Sequence, residues 1–405
     1  MSTDFSFRKG TTAVRAVDFV AFVGDRDTEQ VLKSYVLEHA MPHTHVTIGS
    51  IDDVIAYLSK IQRSPLFLLI DLHGSAMPLS DLGRLAEVCE PSVQVVAIGE
   101  RNDVGLFRNL LKLGVRDYLV KPLTVELLNR TLSVSEQKVN PVAQTRAGKT
   151  IALVGSRGGV GVTTIALNLA LHLADDTHRR IAYVDLNLHG GAANSMLDIH
   201  CNNGLIDLLQ NVHRLDPQYL ERTLVGKGSR LCVLSSELDY GATSPFEPGA
   251  LKRVLEALRD NFHYVILDVS KHAHPLSSEA FDNTSRVYVV ADRSVHSVRE
   301  SLRLLRYIED RDNNPTASLL LNSPNAATAG KVRPADFVTA VGRPVLFEIP
   351  YEAKAVSIAE NLGEAHFWKS ANDFRQAIVR IGSDLTGQRW DAERPLLERL
   401  GIRRR

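Results

Sequence analysis

Nine residues, Ser156–Thr164 (SRGGVGVTT), carry the densest chemical signal in this 405-residue chain. Gly158, Gly159 and Gly161 free the backbone to curl, so that successive N–H groups converge on one point. An apolar run, Ile151–Val154, leads into the segment, and a helical pattern leaves it near Thr163. The positive end of that helix dipole lies behind the curl, and the combination is a cradle for phosphate. Thr163, in the first helical turn, offers a hydroxyl to the Mg²⁺ that a nucleotide carries. A glycine-rich turn alone would be an ordinary βα connection. Strand, loop, Thr163–Thr164 and helix in this order point to a phosphate loop.

SRGGVGVTT resembles the deviant phosphate loop of the MinD/ParA ATPases, written KGGxGK[ST][ST]. The resemblance implies ATP and Mg²⁺ as cofactors, bound by Arg157, Gly158, Gly159, Val160, Gly161, Val162, Thr163 and Thr164. Two positions depart from the pattern. Arg157 stands where the family has its signature lysine, which reaches the phosphates of the partner subunit's nucleotide; a guanidinium can still pair with phosphate, even bidentately. Val162 stands in the place of the ordinary phosphate-loop lysine and supplies no charge. Losing one donor to the transition state costs about 10²–10³ in rate. Nucleotide binding is therefore expected to outlast hydrolysis, which is expected to be weak or absent.

The same resemblance extends downstream. Asp185, after Ile181–Val184, matches the first acid of the family's D-x-D switch, but the second position is Asn187, an amide where a carboxylate helps to position the attacking water. Asp268, after Tyr264–Leu267, matches the Walker B acid that holds Mg²⁺ through water. Strands of α/β sheets also end in acids that cap turns; the loop upstream favours the functional reading. Asn322, after Leu319–Leu321, matches the position that recognises adenine, and Pro350, after Val345–Ile349, begins the loop that closes over the base.

The elements that would position these residues are legible as alternating strand and helix patterns. Past the phosphate loop the strands are Ile181–Val184, Leu231–Leu234, Tyr264–Leu267, Val287–Val290, Leu319–Leu321 and Val345–Ile349, mostly unbroken apolar runs suited to burial on both faces. Before it, Val17–Val23, His45–Ile48, Leu66–Ile70, Gln94–Ile98 and Asp117–Val120 alternate with amphipathic stretches such as Val104–Leu111, closed by Gly114. The expected fold is α/β, with two doubly wound parallel-sheet domains, the first flavodoxin-like and the second built on the phosphate loop. The expected boundaries are a flexible N-terminus at 1–16, a first domain at 17–132, a linker at 133–149, a nucleotide-binding domain at 150–390 and a basic tail at 391–405.

The first domain resembles a response-regulator receiver that has lost parts. Asp71 stands in the phosphoryl-acceptor place and Lys121–Pro122 matches the family's Lys-Pro pair. Of the acidic pair for Mg²⁺ only Asp25 remains, beside Gly24, and Gly99 replaces the switch hydroxyl. Asp25, Asp71 and Lys121 are read as a remnant charge cluster in an interaction module, with phosphorylation of Asp71 doubtful. A receiver-like domain followed by a degenerate MinD/ParA domain, together with the stretch Gly99–Leu123, is similar to the CpaE/TadZ family of pilus assembly proteins. The likeness covers nearly the whole chain apart from the first residues, the linker and the last helix. It implies an ATP-dependent homodimer that helps to assemble Flp (type IV-like) pili, beside a pilus secretion ATPase and inner-membrane pilus machinery, often at a cell pole.

Composition narrows the alternatives. Lys+Arg and Asp+Glu both number 47, and this zero formal charge argues against a nucleic-acid partner. The N-terminus lacks the apolar stretch of a secretory signal, no run of 18 apolar residues occurs, and three scattered cysteines fit a reducing, cytoplasmic setting. His272 and His274 lack a third ligand nearby. The tail, with Leu396, Leu397, Leu400 and Ile402 among arginines, resembles the membrane-targeting helix that ends MinD but is barely two turns long, so any membrane contact is peripheral. Two rival readings are an active ParA/MinD-type ATPase for DNA partitioning or septum positioning, disfavoured by Val162 and Asn187, and a phosphorelay regulator, disfavoured by Gly99.

Overall fold

Strand β1 (Phe19–Val23) is buried at every position, as a strand must be when helices cover both faces of its sheet. In the computed structural model, residues 19–41, 43–61, 64–75, 77–132, 147–189, 191–242, 245–270, 275–326, 330–363 and 373–387 are described. The segment 1–16, linker residues 133–146, His272 and His274, and the tail 391–405 lie outside them. The chain divides into two units, Met1–Arg146 and Ala147–Arg405.

In the first unit β1 pairs with β2 (Thr44–Ile48) and β3 (Phe67–Asp71), and β4 (Gln94–Gly99) and β5 (Asp117–Val120) extend the sheet in the order β2-β1-β3-β4-β5, all parallel. This is the flavodoxin-type winding. Alternate residues feed separate cores: Val20, Phe22, Leu68 and Ile70 on one face, Phe19, Ala21, Val23 and Leu69 on the other. The helix Arg26–Glu38 starts where Asp25 accepts from the Thr28 backbone N–H at 2.7 Å, and Ile51–Lys60 starts at a Ser50/Asp53 capping box. Because the strands are parallel, their carboxyl ends share one edge. Asp25, Asp71 and Lys121 all arrive there.

The second unit holds β6 (Lys149–Gly155), β7 (Ile181–Asp185), β8 (Val225–Lys227), β9 (Leu231–Leu234), β10 (Tyr264–Val269), β11 (Arg286–Ala291), β12 (Thr316–Asn322) and β13 (Val345–Ile349). Their order is β13-β12-β11-β6-β10-β7-β9-β8, parallel throughout except for β8 against β9. Sequence reasoning missed β8: three residues with Gly226 at the centre give no alternation to read. The strand β6 shows the two-sided burial, with Ala152 and Val154 in one core and Ile151 and Leu153 in the other. The helix Val162–Asp175, apolar almost all round, lies in the second of these cores, where Phe374, Ala377 and Ile378 of the helix Asp373–Thr386 join it. The fold is α/β with two doubly wound sheets, as the sequence pattern predicts.

Candidate nucleotide site

The phosphate loop leaves β6 and is fastened at both ends. The Ser156 N–H donates to the Val290 carbonyl of β11 at 2.8 Å, and the Asn322 side-chain amide donates to the Val160 carbonyl at 2.7 Å. Gly159 (φ +73°) and Gly161 (φ +90°) adopt the left-handed backbone that the curl requires and that a side chain would strain. A Cβ at Gly161 would also lie 2.6 Å from the Asn322 amide nitrogen, whereas at Gly158 or Gly159 it would meet nothing within 4 Å. Val160 is fully buried beneath the loop, and Val162, the first residue of the helix, packs against the core.

Behind the loop two strands and the helix Val162–Asp175 deliver oxygen atoms to one place. Asp268 of β10 lies in register with Asp185 of β7, and paired residues of parallel strands point to the same face. Asp268 Oδ2 accepts from the Thr163 hydroxyl at 2.6 Å and from the Tyr183 hydroxyl at 2.9 Å. Asp185 Oδ1 accepts from the Asn187 N–H at 2.9 Å, while Asn187 itself is exposed. Burial and the neighbouring Asp268 push the Asp185 carboxyl well above the usual carboxylate range. Burial also raises Asp268, against the opposing pull of the Thr163 and Tyr183 hydrogen bonds. Gly191 permits this packing, because a Cβ there would run into the Asp185 carboxylate.

Arg157 is engaged within its own chain. Its guanidinium forms an ion pair with Asp292, just after β11, and donates from Nη1 to the Gly158 carbonyl at 2.9 Å. Asp292 also accepts from the Ser294 hydroxyl at 2.7 Å and from that of Ser297. Burial opposes ionisation of Asp292, but the Arg157, Ser297 and Ser294 hydrogen bonds outweigh it and hold the carboxyl at about 2. Thr164 lies in the helix after Thr163, half-buried, and Pro350 follows β13, also half-buried.

In the first unit Lys121 bridges Asp25 and Asp71. The Asp71 side chain is fully buried, its Oδ2 accepting from the Gly24 N–H and its Oδ1 from the His73 N–H, each at 2.9 Å. Burial works against the Lys121 ammonium, but the two carboxylates more than offset it and raise its pKa. Asp25 is held at about 2 by its bonds to Lys121 and Thr28, against burial. Gly99 leaves room for Tyr118, whose hydroxyl lies 2.3 Å from where a Cβ at Gly99 would be and donates to the Arg101 carbonyl at 3.0 Å.

Residues 148–319 match the family model described as an AAA domain. The chromosome-partitioning ATPase Soj of Thermus thermophilus is 32% identical over 167 residues, covering 40% of this chain and 61% of Soj. The septum site-determining protein MinD of Bacillus subtilis is 24% identical over 176 residues, covering 43% of this chain and 65% of MinD. The chain thus spans under two thirds of the length of these curated relatives. A ParA family ATPase from Chlorobium tepidum shares the fold at a TM-score of 0.54 and 18% identity, over 59% of this chain and 99% of that one. The second unit thus contains a segment that matches the AAA domain model, and MinD/ParA-type ATPases are among the proteins similar to it.

The residues of this segment fit a magnesium nucleotide. The glycine curl faces open space at Gly158 and Gly159, and the helix dipole backs it. Thr163 and Asp268 present hard oxygen donors, the type that Mg²⁺ takes. Among the described residues no three His, Cys, Asp or Glu side chains gather in a way that could hold a metal ion. Sequence reasoning did not anticipate Tyr183 or Asp292. Both left a trace: a tyrosine in a strand buried on both faces needs a partner for its hydroxyl, and Asp292 directly follows the strand next to β6. Among the described residues no helix is long and apolar enough to cross a membrane.

Proposed function

We propose that the chain is an ATP-dependent assembly factor whose second unit binds ATP with Mg²⁺ and whose nucleotide state sets its association with a second copy. The observation that carries this reading is the curled Gly158–Gly161 backbone, opening ahead of the helix Val162–Asp175, with Thr163 and Asp268 joined beside it. Thr163 and Asp268 form the Mg²⁺ shell, the loop amides hold the phosphates, and Asn322 and Pro350 stand on the side of the base. When bound, Mg²⁺ supplies charge neutralisation at the phosphates. Val162 contributes packing and no charge, and Asn187 offers an amide where an acid would orient water, so hydrolysis is weak or absent.

The first unit is an interaction module. The pairing of a receiver-like unit with this type of loop supports a role in assembling Flp (type IV-like) pili. There the dimer recruits a pilus secretion ATPase and inner-membrane pilus machinery from the cytoplasmic side, at a cell pole.

A second reading, an active ATPase for DNA partitioning or septum positioning, is favoured by the roles printed in the names of Soj and MinD. One experiment separates the two. A fluorescent ATP analogue is titrated against the full chain with Mg²⁺, and phosphate release is followed in the same samples. Saturable binding with little turnover supports the assembly factor. Brisk turnover abolished by Thr163→Ala supports the second reading, and no binding of ATP or ADP at millimolar concentration removes both.

A further inference from the structure

Tyr183 is fully buried in the middle of β7, a strand otherwise made of Ile181, Ala182, Val184 and Asp185. A phenol in that position removes a hydroxyl from water, which costs free energy unless the group is paired. The pairing is specific. In the β7–β10 register Tyr183 lies opposite Ile266 and Asp185 opposite Asp268, so Tyr183 and Asp268 are diagonal neighbours on one face. The phenol runs along the sheet toward the carboxyl edge and donates to Asp268 Oδ2 at 2.9 Å. The same oxygen receives the Thr163 hydroxyl, so both donors hold one side of the carboxylate.

Asp268 needs this support more than a surface acid would. It is 6% exposed, so burial opposes its ionisation, and it lies in register with Asp185. Hydrogen bonds to a carboxylate are among the stronger ones and favour the charged form. Thr163 has a second demand on its oxygen, because the same atom is placed to ligate the nucleotide's cation. Tyr183 has none, since the core surrounds the rest of its side chain.

We infer that Tyr183 is a positioning residue that holds the Asp268 carboxylate in orientation for the nucleotide-borne Mg²⁺. This inference rests on the nucleotide-binding reading above. It concerns the Mg²⁺-dependent part of the affinity and leaves the loop's own grip on phosphate untouched.

The test compares the full chain with its Tyr183→Phe variant, using a fluorescent ATP analogue in excess Mg²⁺ and again in EDTA. The expected result is a loss of about tenfold in the Mg²⁺-dependent gain in affinity, with binding in EDTA unchanged. Adding Tyr183→Phe to an Asp268→Asn background should then do nothing further, because the carboxylate it serves is gone. A hydroxyl that merely completes the core would leave the ratio of the two affinities where it was, and that result overturns the inference. Should Tyr183→Phe fold poorly, Tyr183→Met in the same paired titration gives the second reading of the ratio, judged by the same outcomes. A wild-type chain that binds the analogue in neither condition defeats the nucleotide reading itself, and the Tyr183 inference falls with it.

Discussion

Arg157 of the phosphate loop and Asp292 at the end of β11 are 135 residues apart in sequence and joined as an ion pair beside the cradle. The guanidinium that sequence comparison assigns to phosphate is thus held by a carboxylate of its own chain. Arg157 keeps the orientation that Asp292 gives it, and a phosphate must compete for it.

The pH dependence of this pair has a definite sign. Asp292 is held at about 2, below the ordinary carboxylate value of 3.8. Its contribution is therefore complete above about pH 4 and is lost as the pH falls toward 2. Asp292→Asn should unfold less steeply with acid than the wild type between pH 4 and 2. The difference should be on the order of 1 kcal/mol once solvent screening is allowed for. Parallel acid-unfolding curves would show that the pair contributes nothing.

Val162→Lys tests why hydrolysis is expected to be slow. The residue begins the helix at the cradle and is only partly buried, so a lysine stem can leave the core with its ammonium in water. Restoring one cation should raise steady-state phosphate release by about tenfold or more, given that a single donor is worth about 10²–10³. Phosphate release that stays at the wild-type level would place the deficit elsewhere, with Asn187 the next position to change.

Lys121 is the keystone of the charge cluster in the first unit. Lys121→Met leaves Asp71, fully buried, and Asp25 without their shared cation. Breaking a buried pair in this way costs about 3–5 kcal/mol. Amide exchange in β1, β3 and β5 of the full chain should accelerate accordingly. Acetyl phosphate should leave the wild-type chain unlabelled, because both Asp71 oxygens are already engaged; a label lost in Asp71→Asn would contradict this.

Much of this was readable in advance, and what was not has physical reasons. The loop and its flanking strand are local features: glycine spacing, an apolar run and a helix start lie within twenty residues. Asp185, Asp268 and Asn322 were legible as polar residues closing apolar runs, and the parallel sheet brings those ends to one edge. The partners were not legible. Whether Asn322 bonds to the Val160 carbonyl, or Arg157 to Asp292, depends on strand order, which no short window contains. The strand β12 begins at Thr316, three residues before the apolar run, because pairing with β11 carries polar residues into the sheet. Gly99 was legible as a missing hydroxyl, but not the Tyr118 ring that replaces it.

That replacement can be tested by coupling. A Cβ at Gly99 would collide with the Tyr118 hydroxyl and lie 3.0 Å from two of its ring carbons. Gly99→Ala should destabilise the first unit by about 1–3 kcal/mol, seen as faster exchange of β4 and β5 amides. The cost should be smaller when Tyr118→Phe is already present, since the atom in the way has gone. Strictly additive effects would mean that the glycine is tolerated for some other reason.

The Asp185–Asp268 pair predicts a trade between stability and function. Burial and the facing carboxylate raise the Asp185 pKa in the folded chain, so folding favours its protonated form. An acid raised in this way destabilises the fold progressively as the pH rises from its unfolded value toward its folded one, the reverse of Asp292. Asp185→Asn keeps an oxygen to accept from the Asn187 N–H and removes the charge. The variant should therefore be more stable than the wild type at pH 8, by about 1–2 kcal/mol or more, with the gap closing as the pH is lowered toward 4. Urea unfolding of both proteins at pH 5 and pH 8 measures the gap, and an equal or inverted ordering at pH 8 would refute the assignment. Saturating Mg²⁺ and ATP should narrow the difference at pH 8, because a cation beside Asp268 offsets the repulsion that Asp185 otherwise bears alone.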